Sequence, residues 1–142
     1  MTTPIVKQGT CLCKKVRISI SPEKNIFDAC HCSMCRRWGG GPALTVEGGK
    51  SFHIQGEEFV SIYDSSEWAQ RAFCKNCGSH LFYHLKNTQH YNFSLGLFEG
   101  VENFKFHVQI FVDSKPAFYD FANKTEMMTE AEVLAKFGAT ST

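Results

Sequence analysis

Long apolar runs are missing from this sequence: nothing approaches the roughly 18 consecutive apolar residues of a membrane-spanning helix, which excludes a helical membrane span. Net charge is nearly absent as well. Fifteen Lys and Arg stand against fourteen Asp and Glu. This disfavours a strongly basic nucleic-acid binder or a polybasic membrane-surface protein, and leaves charge selection to local patches. The opening residues, Met1 to Gly9, lack the apolar stretch of a secretory signal, so a cytoplasmic chain is expected. Proline is scarce, with four residues, and no low-complexity segment or linker divides the 142 residues. A single domain over 1–142 is expected. Apolar residues at 43% and charged residues at 20% describe a globular chain.

Cysteine is what the sequence has in unusual measure. There are seven, an odd number, so a full set of internal disulfides would leave one over. A reducing compartment disfavours disulfides in any case, and metal binding becomes the leading explanation.

Most of the remaining sequence reads as short strands. Val16, Ile18 and Ile20 alternate with Arg17 and Ser19, the pattern of a half-buried strand closed by Ser21-Pro22. Further apolar runs fall at residues 26–29, 42–46, 52–54, 59–62, 81–85, 92–97 and 107–112, with turn residues between them. That spacing, with thirteen phenylalanines to fill a core, suggests a sandwich or barrel-like β fold. One helix is predicted over about residues 130–137. Thr129 and Glu132 form a capping box, and Met128 and Val133 are spaced as a hydrophobic staple. Leu134 and Phe137 are expected to face the core, Gly138 to stop the helix, and residues 139–142 to fray.

The cysteines form three clusters: Cys11-Leu12-Cys13, then Cys30-His31-Cys32-Ser33-Met34-Cys35, then Cys74-Lys75-Asn76-Cys77. Cys-x-x-Cys places two sulfurs on one side of a tight loop, and Gly78 follows where that loop needs an unhindered turn. Cys-x-Cys in a strand points both side chains to one face. Seven divides into four plus three. A structural zinc site is closed by four ligands, whereas a catalytic one has three and an open position. Cys11, Cys13, Cys74 and Cys77 can supply the four, and Cys30, Cys32 and Cys35 the three. Soft thiolates favour zinc, though an iron–sulfur cluster uses the same ligands. Lys14, Lys15, Arg36, Arg37 and Lys75 offer local positive charge to offset them. An alternative is two structural zincs, the second completed by a histidine. His31, lying between ligands, is strained for that task, and His80, His84 and His90 are better placed.

The order of these motifs resembles the glutathione-dependent formaldehyde-activating enzyme family, also known as the centromere protein V/formaldehyde-activating domain family. The resemblance rests on Gly9-Thr10-Cys11-Leu12-Cys13, on Cys30 through Arg36, and on Phe73-Cys74-Lys75-Asn76-Cys77-Gly78-Ser79-His80-Leu81. It extends to Asn92-Phe93-Ser94-Leu95-Gly96 and Ile110-Phe111-Val112-Asp113-Ser114-Lys115, covering about residues 9–119. It implies a mainly β, Mss4-like zinc-bearing fold with two zincs: a structural one on Cys11, Cys13, Cys74 and Cys77, and a catalytic one on Cys30, Cys32 and Cys35. The implied activity is that of a carbon–sulfur lyase joining glutathione and formaldehyde into S-hydroxymethylglutathione. The sequence departs from the family at Lys115-Pro116-Ala117-Phe118, where relatives often carry Ala-Pro-Trp after the lysine.

On this reading a thiol enters the open position of the three-cysteine zinc and its sulfur adds to an aldehyde carbonyl, or the reverse cleavage occurs. Arg36 and Arg37 are candidates for a donor to the developing alkoxide or for glutathione's carboxylates. Trp38, Gly39, Gly40 and Gly41 follow at once, either letting the backbone approach a ligand or forming a simple turn. The rival expectation is a non-catalytic zinc module for a small thiol, a protein or nucleic acid, the last disfavoured by near-zero net charge.

Overall fold

The computed structural model describes residues 5–137, so the predicted stop at Gly138 and the tail at residues 139–142 lie outside the described residues. The strands are β1 (Lys7–Thr10), β2 (Arg17–Ile20), β3 (Ile26–Cys30), β4 (Ala43–Glu47), β5 (Phe52–Gln55), β6 (Val60–Asp64), β7 (Ala69–Cys74), β8 (His80–Leu85), β9 (Tyr91–Ser94), β10 (Lys105–Ile110) and β11 (Glu126–Met128). Helix α1 (Ser33–Gly39) follows β3, and α2 (Glu130–Phe137) follows β11. The protein is mainly β with a short C-terminal helix, as expected. Among the described residues no helix is long and apolar enough to cross a membrane. The chain forms two compact units: one combines the described residues through Asn25 with Thr45–Phe104, the other combines Ile26–Leu44 with the described residues from Lys105 onward.

In the first unit β2 pairs antiparallel with β1 and with β5, Ile18 lying opposite both Gly9 and Ile54. Its alternation is the predicted one: Val16, Ile18 and Ile20 are buried and Arg17 is exposed. A second antiparallel set runs β4, β9, β8, β7, β6. Phe93 on β9 is fully buried, with Phe52 and Phe82 at ring-centroid distances of 5.2 and 5.5 Å. Burying one such ring stabilises the fold by about 1.5–3 kcal/mol. Strand β7 was not legible in the sequence. Its buried positions are Ala69, Arg71, Ala72 and Cys74, too small or too polar to mark a strand. The Arg71 guanidinium lies 5.4 Å from the Tyr83 ring centroid, an attraction that offsets part of the cost of its burial.

In the second unit β10 pairs parallel with both β3 and β11. The register sets Gln109 beside Ala29 and Ile110 beside Cys30, so a residue of β10 sits next to the start of the middle cysteine cluster. Phe27 stacks on Phe106 at 4.8 Å. The capping box of α2 forms as predicted: Thr129 N–H donates to Glu132 Oε1 at 3.0 Å and Glu132 N–H donates to Thr129 Oγ1 at 3.3 Å. Asp113 Oδ1 accepts from Glu130 N–H at 3.0 Å, satisfying one more orphan donor of that helix start. The expected core face is narrower than predicted. Val133 is buried and Leu134 half-buried, but Phe137 is 45% exposed. A helix of eight residues gives the ring at its last position no further turn to pack beneath.

Candidate functional site

Two groups of sulfur atoms define the chemistry of the molecule. Cys11, Cys13, Cys74 and Cys77 bring four sulfurs within 4.8 Å of one another, and Cys30, Cys32 and Cys35 bring three within the same limit. The four-plus-three division expected from the sequence is the grouping seen in space.

The four-sulfur group joins two loops of the first unit. Cys11 and Cys13 lie in a turn, not in a strand: Lys14 N–H donates to Cys11 O at 3.0 Å, and Lys14 takes the left-handed conformation at φ 67°. The turn still aims both sulfurs inward while Leu12 is 84% exposed. The second loop follows β7. Gly78 N–H donates to Cys74 O at 2.7 Å, with Gly78 at φ 78°, a conformation glycine adopts without steric cost. Cys11 and Cys13 sulfurs are 3.6 Å apart, and Cys13 and Cys74 sulfurs 3.8 Å. A tetrahedron with metal–sulfur bonds of about 2.3 Å has edges of about 3.8 Å, so these residues fit such an ion.

Ser79 ties the two loops together and was missed in the sequence. Its hydroxyl oxygen accepts from Leu12 N–H at 3.0 Å and lies 3.2 Å from Cys77 Sγ. Donation from Ser79 holds the Cys77 thiol down at about 5, and Asn76 beside Cys13 lowers that thiol too. Burial pushes Cys11 in the opposite direction. The only sequence signal for Ser79 is a hydroxyl two residues beyond a cysteine pair.

The three-sulfur group is built where β3 ends and α1 begins. Cys32 is the N-cap of α1, its sulfur accepting from Cys35 N–H at 3.3 Å. The helix itself was not predicted, because seven residues are too few for an apolar period and a cysteine is an unusual cap. Cys30 is held well above the ordinary thiol range, first by the neighbouring Cys32 and Cys35 sulfurs and then by burial. Three thiolates this close repel one another, and a soft divalent cation would reverse that preference. Among the described residues no histidine or carboxylate joins the group. His31 turns its ring to Tyr119 and Gln109 instead. His84 stacks on Tyr91 at 3.9 Å and donates to Thr88 O, and Asn92 donates to His90.

A cleft of about 450 Å³ in the second unit is lined by Arg36, Arg37, Gly40, Gly41, Pro42, Phe118 and Tyr119. Its volume lies within the range of small-molecule sites. Four of the six residues considered for substrate contact, Arg36, Arg37, Gly40 and Gly41, line it; Trp38, half-buried, and Gly39, exposed, do not. Arg36 is largely committed to backbone, donating from Nε to His31 O at 3.0 Å and from Nη2 to Ser114 O at 3.2 Å. Gly40 caps α1 in the left-handed conformation at φ 85°. Lys115 Nζ pins the far wall, donating to the carbonyls of Pro116 and Tyr119 and pairing with Asp120 at 2.6 Å. Phe118, at the position of the departure noted above, is 83% exposed.

Comparison with known proteins gives a consistent assignment. The sequence profile of the glutathione-dependent formaldehyde-activating enzyme family matches residues 6–114, a span containing all seven cysteines. Over 128 residues the chain is 39% identical to an "Uncharacterized lyase" of Schizosaccharomyces pombe, covering 89% of this chain and 93% of that protein. It is 34% identical over 84 residues to a Halomonas elongata protein named "Putative glutathione-dependent formaldehyde-activating enzyme", about half of each chain. A crystal structure of a Rhodobacter sphaeroides protein superposes with a TM-score of 0.58 at 25% identity, covering 68% of this chain and 91% of that one. The chain belongs to the glutathione-dependent formaldehyde-activating enzyme family.

Proposed function

We propose that this protein is a zinc-dependent carbon–sulfur lyase that joins glutathione, or another small thiol, to formaldehyde, or cleaves the S-hydroxymethyl adduct. Family membership and the lyase name of the S. pombe relative support the reaction class. The observation that carries the finer reading is the unequal pair of sulfur groups: four sulfurs in one, three in the other with, among the described residues, no further histidine or carboxylate. In this reading Cys11, Cys13, Cys74 and Cys77 hold a structural zinc, and Cys30, Cys32 and Cys35 hold a catalytic one. Bound there, zinc would supply a Lewis acid that lowers the pKa of a substrate thiol.

The chain's own residues bind and orient. Arg37, exposed on the cleft, offers a guanidinium to a glutathione carboxylate. Arg36, tied to His31 O and Ser114 O, stiffens the wall beside it. Gly40 and Gly41 leave the backbone bare on the same cleft, with no atom within 4 Å of where a Cβ would stand.

Elemental analysis combined with calorimetry tests the proposal. About two zincs per chain and glutathione binding by the loaded wild type are expected. Cys32→Ser is the informative variant, because serine is itself a good N-cap and preserves the start of α1. It should abolish glutathione binding while leaving the fold intact. Failure of the zinc-loaded wild type to bind glutathione overturns the proposal. Thiols add to formaldehyde unaided, so turnover must be read above the uncatalysed rate.

A further inference from the structure

Tyr119 lines the cleft, and its hydroxyl ends a hydrogen-bonded array of four residues. It lies 2.7 Å from His31 Nδ1; His31 Nε2 lies 2.8 Å from Gln109 Oε1; Gln109 Nε2 donates to Thr125 Oγ1 at 3.1 Å. His31 and Gln109 are 0% and 2% exposed. Neither can exchange its partners for water, so each is held by the others. The chemistry of the array permits two settings. With Gln109 Oε1 accepting from His31 Nε2–H, Nδ1 bears the lone pair, Tyr119 donates inward, and the phenol oxygen keeps a lone pair for a ligand. With the Gln109 amide turned over, Thr125 donates to Gln109, Gln109 to His31 Nε2, and His31 Nδ1–H to the phenol. The phenol then has its proton to give to a ligand. Amide and imidazole have the donors and acceptors for both.

The position of the array matters as much as its chemistry. His31 stands between Cys30 and Cys32, so the phenol is one imidazole away from the backbone of the three-sulfur group. Lys115 holds the Tyr119 carbonyl, fixing the segment that presents the ring. Burial, against the pull of Arg36 and Lys115, keeps the phenol protonated above its ordinary range. At neutral pH it is therefore a neutral group able to donate or accept.

We infer that Tyr119 is a catalytic residue of the proposed lyase, its hydroxyl bonding the oxygen of the aldehyde or hydroxymethyl group and exchanging a proton with it, while His31 and Gln109 are positioning residues that orient the phenol. This rests on the lyase reading above. In the direction of addition, the substrate sulfur forms the C–S bond and the carbonyl π pair moves to oxygen. That oxygen takes the Tyr119 proton, and the phenolate, held by His31 Nδ1–H, regains one from water in the cleft. The proton released when the thiol ionised balances it. His31 stays neutral throughout. Cleavage runs the same events in reverse: the phenol yields its proton to water in the cleft, the phenolate takes the hydroxyl proton of the adduct, the C=O bond re-forms as the C–S bond breaks, and the departing thiolate regains a proton. Positioned acid–base groups of this kind accelerate reactions by roughly 100-fold or more.

The test compares zinc-loaded wild type with Tyr119→Phe, using two probes: glutathione alone, and glutathione equilibrated with formaldehyde so that S-hydroxymethylglutathione is present. Calorimetry should show the wild type preferring the adduct by about fivefold, one hydrogen bond's worth. Tyr119→Phe should keep the glutathione affinity and zinc content and lose the preference. Exchange between formaldehyde and adduct, followed by NMR above the uncatalysed rate, should fall roughly 100-fold in the variant. Gln109→Leu should lower exchange by about tenfold with glutathione affinity unchanged, a split that a loss of folding would not produce. Wild type that binds glutathione without preferring the adduct, or Tyr119→Phe that retains the preference and the exchange rate, overturns the assignment of Tyr119 and leaves the lyase reading standing. Wild type that binds neither probe removes both.

Discussion

Cys13 Sγ and Cys74 Sγ lie 3.8 Å apart although 61 residues separate them in the chain. A contact at that sequence distance closes a long loop, and an ion bound there would fix the two turns to each other, alongside the Leu12–Ser79 hydrogen bond. Metal affinity at such a site is largely folding free energy, on the order of 10–16 kcal/mol, comparable with the whole stability of a domain. Cys74→Ser is therefore expected to abolish cooperative thermal unfolding. Cys35→Ser, in the three-sulfur group, should lower Tm by only a few degrees and remove ligand binding. Circular dichroism melts of both variants with and without a chelator check this. Equal loss of fold in the two would contradict the division into a structural and a reactive site.

Adjacent arginines divide the labour on one wall of the cleft. Arg36 donates to two carbonyls, whereas Arg37 is exposed. Arg36→Lys, which cannot reproduce the guanidinium geometry, should cost about 1–2 kcal/mol of stability in urea unfolding. Arg37→Gln should leave stability within about 0.5 kcal/mol of the wild type. Its effect should appear instead in glutathione affinity, weakened roughly tenfold and most clearly at low salt.

At the end of α1, Gly40 adopts φ 85° with no atom within 4 Å of an added Cβ. Space is not the constraint there; backbone conformation is. Gly40→Ala should destabilise by about 1 kcal/mol. Gly41→Ala, with equally open surroundings and no left-handed backbone, should be close to neutral. Denaturant midpoints of the two variants discriminate them.

Burial, reinforced by the neighbouring His84 charge and opposed by Glu47, lowers the pKa of His90 below its ordinary value of 6.5. The folded state therefore favours the neutral ring, consistent with Asn92 Nδ2 donating to His90 Nε2 at 3.1 Å. The unfolded chain takes up the proton first as pH falls. This contribution is therefore fully present above the ordinary histidine range and is lost as pH drops below it. His90→Gln should flatten the dependence of unfolding free energy on pH between about 5 and 7 relative to wild type. Parallel urea titrations at the two ends of that range measure the difference, and an unchanged slope would count against a half-buried neutral ring.

The β character was legible wherever burial alternates cleanly. Residues 16–20 announced β2 because their apolar side chains all fall on one face, and Thr129 with Glu132 announced α2 through a local capping box. Strand β7 and helix α1 were not legible. Alanine, arginine and cysteine fill the buried face of β7, and α1 is shorter than two helical periods, so neither shows the periodicity that marks an element before its neighbours are known. Phe137 shows the reverse failure: its spacing fits a core face, but the helix around it is too short to give that face a core.

The grouping of the cysteines was legible from their spacing, because Cys-x-Cys and Cys-x-x-Cys are local constraints: a few bonds fix where two sulfurs can go. The sequence alone thus determined which cysteines act together and the four-plus-three count. The roles of residues between and far from those motifs were decided only by tertiary structure. His31 looks like a strained ligand in sequence, yet β10 brings Gln109 to one of its ring nitrogens and the segment after Lys115 brings Tyr119 to the other. Ser79, Arg36 and Tyr119 likewise acquire their tasks from partners 67, 78 and 88 residues away. Hydrogen bonds across such distances depend on strand register and loop closure, which no local pattern encodes.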